Sequence, residues 1–220
     1  MSIDYQCEFC SLKQMDKPIL PNNLQEVNTE GLHNNLIYNG TFFYVKPDVS
    51  PVVENHLLII PKSHVFCMKL LPEECKEEFD EVCQKIIDFY STMGKGYFFF
   101  EHGCCSDREP GSACIHHAHL HAVPISKEQE KRIVIEVLNY LGTSFTDSKQ
   151  LVGQTYLYAK TEHFGPKYWA DRIQRSQFFR IVISTVIGEP KRARWQNCLI
   201  DDDEREKSVQ WMKKFNDFKL

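Results

Sequence analysis

The sequence predicts an α+β architecture, an antiparallel sheet with flanking helices, followed by an α/β extension. Three observations carry this reading. Short β-branched and aromatic runs recur with turn residues between them, two longer stretches repeat apolar residues at the helical period, and a strand, loop and returning strand precede a clear helix start just after residue 125.

The elements follow in order. Residues 11–35 are rich in Asn, Pro and charge without periodicity and read as a loop or ragged element. Leu36, Ile37 and Tyr38, then Thr41, Phe42, Phe43, Tyr44 and Val45, read as strands joined through Asn39-Gly40, a strong hairpin signal. His56, Leu57, Leu58, Ile59 and Ile60 form the next strand, after the prolines around Asp48. From Pro72, the spacing of Cys75, Phe79, Val82, Cys83, Ile86, Ile87 and Tyr90 predicts a helix, with Glu73 and Glu74 complementing the positive end of its dipole. Gly94 and Gly96 end it. Tyr97, Phe98, Phe99 and Phe100 read as a buried strand that runs into the loop 101–114 and returns through His117-Ala118-His119-Leu120-His121-Ala122-Val123. Successive side chains of a strand alternate between faces, so the three histidines converge on one face while Ala118 and Leu120 pack behind them. Such a row of imidazoles can attack, move protons or bind metal.

Beyond residue 125, Ser126 and Gln129 fit a capping box, and Ile133, Val137, Leu138 and Leu141 give a second amphipathic helix closed by Gly142. Tyr156, Leu157, Tyr158 and Ala159 read as a strand, residues 176–187 as a helix stopped by Gly188 and Pro190, and residues 201–218 as a last helix. Asp201, Asp202 and Asp203 read as an acidic helix start, Trp195, Trp211 and Phe215 as packing residues, and Lys191-Arg192-Ala193-Arg194 as a solvated basic loop.

With 42% hydrophobic and 25% charged residues and a net charge of −4 over 220 residues, the composition is that of a soluble globular protein and argues against general nucleic-acid coating. No apolar run reaches the roughly 18 residues that span a bilayer, and the N-terminal residues lack the basic-then-apolar order of a secretion signal, so the expectation is a cytoplasmic protein without a membrane partner. The nine cysteines are odd in number and scattered, which predicts reduced thiols rather than a disulfide framework.

The histidine stretch resembles the signature of the histidine triad (HIT) nucleotide-binding family, His-φ-His-φ-His-φ-φ with φ apolar, matched in full at residues 117–123. Asn55-His56-Leu57-Leu58-Ile59-Ile60-Pro61-Lys62-Ser63-His64 is similar to the family's buried strand ending in Pro-Lys-x-His, and Cys7-Glu8-Phe9-Cys10 stands where many members begin with Cys-x-x-Cys. The likeness covers roughly residues 5–125; Gln177-Phe178-Phe179-Arg180 and the following Ile-Val-Ile run resemble a tail of some bacterial members.

The resemblance implies a HIT-like nucleotide-binding catalytic domain over residues 1–125, with 126–220 an extension packed on or beside it. It implies a nucleotide hydrolase or nucleotidyltransferase in which His119 attacks an α-phosphorus and forms a nucleotidyl-histidine, while His121 and His56 bind phosphate oxygens or assist the leaving group. It places Asp48 at the ribose, where a turn carboxylate could equally satisfy local backbone donors, and Cys114 where a phosphate-contacting serine would stand. Arg108 is a further candidate for the phosphate, and Arg180 and Gln177 for the leaving group, unless they cap or pair within their helix. His64 and His117 complete a Cys₂His₂ set with Cys7 and Cys10, a donor set suited to structural zinc. A different set would draw on His102, Cys104, Cys105 or His116, which crowd one loop without a recognised ligand spacing. Implied substrates are dinucleoside polyphosphates, nucleoside phosphoramidates or nucleotide-sugars, and a homodimer is an expected assembly. The alternatives are a metal-dependent hydrolase with His117, His119 and His121 as ligands, and a non-catalytic nucleotide sensor or scaffold.

Overall fold

The computed structural model describes residues 7, 9, 10, 12, 24, 27–103, 117–151, 153–170 and 175–220. Among these, the strands β1 (Tyr38–Asn39), β2 (Phe43–Pro47), β3 (Leu57–Pro61), β4 (Gly96–Gly103), β5 (Leu120–Ile125), β6 (Tyr156–Thr161) and β7 (Lys167–Trp169) form one sheet in the order β1-β2-β3-β5-β4-β6-β7. Every pairing is antiparallel. The α+β class read from the sequence is therefore observed.

Alternation along the strands assigns the two faces. Val45, Leu57, Ile59, Phe99, Leu120 and Ala122 face the helix α1 (Lys76–Thr92), which buries Val82, Ile86 and Tyr90 against them. Phe98, Phe100, Val123 and Ile125 point the other way, onto Ile133, Val137 and Leu141 of α2 (Lys127–Leu141) and Phe178, Phe179 and Ile183 of α3 (Phe178–Ile187). Each such large apolar side chain gains about 1.5–3 kcal/mol on full burial, so both layers are strongly driven. Two further helices, α4 (Asn197–Ile200) and α5 (Asp202–Lys213), complete the chain.

Several boundaries differ from the sequence reading for identifiable reasons. The first hairpin is present, but Asn39 belongs to β1 and the reversal spans Gly40 to Phe43, because the Glu78 carboxylate of α1 accepts the N–H groups of Thr41, Phe42 and Phe43. A β-carbon on Gly40 would collide with Glu78 and the Tyr38 ring. β4 runs past Phe100 to Gly103 because β6 pairs along it from Phe98↔Thr161 to Gly103↔Tyr156. β5 starts only at Leu120, so His121 alone of the three histidines lies within a strand. The last helix is shorter than expected, with Asp201 as its N-cap accepting the Glu204 N–H. The three-residue β7 carries too short a pattern to be read in advance.

The basic loop is the clearest correction. Arg192 is fully buried, its guanidinium donating to the Pro51 and Glu204 carbonyls, the Glu204 carboxylate and the Ser208 hydroxyl, and it lies over the Trp211 ring. A side chain with several fixed donors can be held inside when each donor meets an acceptor, which sequence composition does not reveal. Among the described residues, no helix is long and apolar enough to cross a membrane.

Candidate active site

The site forms where β3, β5 and β4 lie side by side. His121 pairs in register with Leu58 of β3 and Phe100 of β4, and the Phe100 ring stacks on it at 4.4 Å. The His121 Nδ1 lies 2.9 Å from His56 Nε2, and His56 Nδ1 accepts the Val52 N–H at 3.2 Å. A backbone N–H can only donate, so the His56 proton sits on Nε2 and is donated to His121 Nδ1, which leaves the His121 proton on Nε2. Burial pushes the His56 imidazole down to about 3 and His121 well below its usual value, in keeping with two neutral rings.

His119 is oriented differently. Its Nδ1 lies 2.8 Å from the His117 carbonyl, and since a carbonyl only accepts, Nδ1 carries the proton and Nε2 a free lone pair. The ring is half-buried, with the Phe9 edge at 5.2 Å and His121 at 4.9 Å between centroids. Burial again lowers its pKa, against the hydrogen bond to His117.

Asp48 is turned inward. It is 7% exposed; Oδ1 accepts the Ser50 N–H at 2.9 Å, and Oδ2 lies 3.2 Å from Arg180 Nη1 and 3.4 Å from His56 Nδ1. Burial would raise its pKa, but the Arg180 guanidinium and the Ser50 N–H hold it below the usual carboxylate value. Arg180 thus bonds across to Asp48, Ser50 and Arg192 rather than pairing within its own helix. Gln177 accepts the Trp195 N–H and donates to Gln196.

His117 turns away from the other two histidines of the row. With Cys7, Cys10 and His64 it forms a group whose ligand atoms all lie within 4.8 Å of one another. Cys7 Sγ lies 3.4 Å from His117 Nδ1, Cys10 Sγ 3.6 Å from the same nitrogen and 3.2 Å from His64 Nδ1. Tetrahedral zinc with ordinary Zn–S and Zn–N bonds would set S···N edges of about 3.5 Å. His117 Nε2 lies 2.8 Å from the Pro61 carbonyl and donates to it, which points the Nδ1 lone pair at the thiols, the outer-shell arrangement usual for a ligating histidine. The residues present therefore fit a closed Cys₂His₂ metal. Asp48, His56 and His121 form a second group of nearby ligand atoms, but there the Arg180 guanidinium and the His56–His121 hydrogen bond already occupy them.

The chain matches the family model described as "Protein similar to CwfJ C-terminal" over residues 26–137, just over half of its length. It belongs to that CwfJ C-terminal-like family. Among curated proteins it is 25% identical over 202 residues to Zinc finger CCCH domain-containing protein 64 of Arabidopsis thaliana, covering 81% of this chain and 32% of that one. It is also 25% identical over 199 residues to CWF19-like protein 1 of Mus musculus, covering 80% and 34%. The chain thus spans about a third of the length of these relatives. Of solved structures, it is similar to a hypothetical histidine triad nucleotide-binding protein from Sulfolobus tokodaii at 18% identity, covering 84% of this chain and 94% of that one with a TM-score of 0.36.

Within the CwfJ C-terminal-like match lie Asp48, His56, His64, His117, His119 and His121; Cys7, Cys10 and Arg180 lie outside it. The fold brings His119, His121, His56 and Asp48 together and gathers Cys7, Cys10, His64 and His117 beside them. Arg108 and Cys114, with Cys104, Cys105 and His116, lie outside the described residues. His102 lies on β4, two residues beyond Phe100, with burial pushing it down to about 4. Sequence reasoning missed Val52, which sets the His56 tautomer through a backbone N–H, and the Phe100 stack on His121.

Proposed function

We propose that the chain is a nucleotide hydrolase or nucleotidyltransferase in which His119 is the nucleophile. The observation that carries this reading is the His119 ring: its Nδ1 proton is held by the His117 carbonyl, so a neutral Nε2 lone pair is available in a half-buried site beside His121. Nε2 attacks the α-phosphorus, the bond to the leaving group breaks with its electron pair, and water or another acceptor then displaces the nucleotidyl group from His119. The His121 N–H donates to a phosphate oxygen or to the departing group, and His56 holds His121 in that state. Substrates are dinucleoside polyphosphates, nucleoside phosphoramidates or nucleotide-sugars, with Arg108 and Cys114 proposed at the phosphate. The enclosure of Asp48 by Arg180 and the Ser50 N–H favours a bracing role for that carboxylate over contact with ribose.

Zinc is the proposed metal of the Cys7, Cys10, His64 and His117 group. With all four positions taken by protein it supplies structural cross-linking, fastening the residues around Cys7 and Cys10 to the sheet.

The test is turnover of one substrate of each class by the unaltered protein and by His119→Ala. A loss of about 10³-fold or more with nucleotide affinity retained is expected, together with acid-labile nucleotide label on His119. Near-normal kcat in His119→Ala sinks the mechanism. Tight binding with neither turnover nor label would instead favour a nucleotide sensor, a reading supported by the enclosed Asp48 and His56.

A further inference from the structure

Two consecutive residues of α3 reach the site through different neighbours. Phe179 packs against Phe100 at 5.3 Å, and Phe100 stacks on His121. Arg180 donates to Asp48 Oδ2, beside which lies His56, the ring that donates to His121. Arg180 is itself fixed, 4% exposed and donating at 2.7 Å to the Ser50 carbonyl and 3.2 Å to the Arg192 carbonyl.

The buried Asp48–His56–His121 chain has two self-consistent proton arrangements. In one, the His56 proton is on Nε2, His56 Nδ1 accepts from Val52, and His121 carries its proton on Nε2. In the other, the His56 proton moves to Nδ1 and is donated to Asp48, the Val52 N–H loses its acceptor, and the His56 Nε2 lone pair requires the proton of His121 on Nδ1. His121 Nε2 would then present a lone pair, which repels phosphate oxygens. A bare carboxylate 3.4 Å from His56 Nδ1 favours the second arrangement. A guanidinium 3.2 Å from the same oxygen satisfies that carboxylate and favours the first.

We propose that Arg180 is a positioning residue that occupies Asp48 and thereby keeps the protons of His56 and His121 on Nε2. Through it the C-terminal part of the chain decides whether His121 presents a donor or an acceptor. The tautomer assignment stands on the geometry alone; its importance for turnover rests on the proposed nucleotide chemistry. Among the described residues, the other charged or titratable groups acting on His56 are Arg192 and His119, and neither bonds the Asp48 oxygen that Arg180 does.

The experiment is 15N NMR of the histidine-labelled full chain, comparing the unaltered protein, Arg180→Met, Arg180→Lys and Arg180→Met/Asp48→Asn. The expected pattern is protonated Nε2 on His56 and His121 in the unaltered protein and in Arg180→Lys, protonated Nδ1 in Arg180→Met, and a return to Nε2 in the double variant, whose amide cannot draw the proton as a carboxylate does. A structural role alone, loosening of α3, would not be reversed by Asp48→Asn, so a double variant that stays in the Arg180→Met state overturns the proposal. So does protonated Nδ1 on His56 in the unaltered protein, or an unchanged tautomer in Arg180→Met. If Arg180→Met does not fold, Arg180→Gln, which removes the charge but keeps a polar side chain, takes its place: protonated Nδ1 on His56 is expected there, and an unchanged tautomer overturns the proposal. In parallel, kcat should fall about 10²-fold in Arg180→Met and recover in part in the double variant. Tautomers that move as expected in a protein that turns over no nucleotide would uphold the role of Arg180 and remove the proposed chemistry instead.

Discussion

Glu101 shows how a single buried carboxyl shapes the molecule's response to pH. It is buried on β4, with the Tyr156 hydroxyl donating to Oε2 at 2.6 Å and the Met68 N–H to Oε1 at 2.7 Å. Gly103 makes this contact possible, because a β-carbon there would strike the Tyr156 ring. Burial pushes the carboxyl up to about 7 against those two donors. A raised carboxyl pKa means that the folded state holds the proton more tightly, so its stabilising contribution is complete below the unfolded value near 4.5 and is lost as pH rises through about 7. Glu101→Gln, which is neutral throughout, should flatten this slope. Chemical denaturation at pH 5 and pH 8 should show Gln gaining on Glu by on the order of 3 kcal/mol at the higher pH, and parallel curves would refute the assignment. Asp48, also buried, is held in the opposite direction because the Arg180 guanidinium and the Ser50 N–H bond it. Two carboxyls of similar burial thus differ through their neighbours.

At the scale of elements, the 3-10 turn Pro190–Ala193 and the helices α3 and α5 act together on the stretch from Pro47 to His56. Arg180 takes the Asp48 side chain and the Ser50 carbonyl, and Arg192 takes the Pro51 carbonyl while pairing with Glu204 of α5 at 2.6 Å. This stretch carries the Val52 N–H that orients His56, so the two arginines brace the site from behind. Removing one member of a buried ion pair strands its partner, and Arg192→Ala should lower unfolding free energy by about 3–5 kcal/mol. A loss of less than about 1 kcal/mol in denaturant titration would show that Glu204 finds water or another donor. α2 is anchored locally instead, by the reciprocal Ser126 and Gln129 capping box and by Gly142 at its C-cap.

For the whole molecule, the sheet passes through residue 125 without interruption: β6 adds six residue pairs to β4, and α2 and α3 share a core with β4 and β5. The C-terminal part therefore completes the sheet and covers one of its faces. At the opposite side of the site, Phe9, Leu12 and Leu36 pack on Tyr44, Leu58 and Ile60, next to the Cys₂His₂ group. Chelation, or Cys7→Ser with Cys10→Ser, should release about one zinc per chain and lower the melting temperature, while the folded fraction keeps its kcat because His119 needs no metal. A protein that melts unchanged after chelation, or that contains no zinc when purified, would exclude a structural ion there.

The class of fold and most of its strands and helices were legible in local patterns, although β7 and α4 were not. Strand alternation assigned Ala118 and Leu120 to the core, helical periodicity placed Val82, Ile86 and Tyr90 on the sheet, and Ser126 with Gln129 marked a helix start, because these signals depend on neighbours a few residues apart. Strand alternation gave the three histidines one face, whereas the folded chain divides them: His117 turns to two cysteines 107 and 110 residues away, the grouping that the resemblance implied, and His121 turns to His56. The burial of Arg192 and the bond from Arg180 to Asp48, 132 residues apart, were not legible in the sequence. A guanidinium reads as surface in a sequence because its desolvation is unfavourable, and only the tertiary structure shows that several acceptors from distant segments meet it.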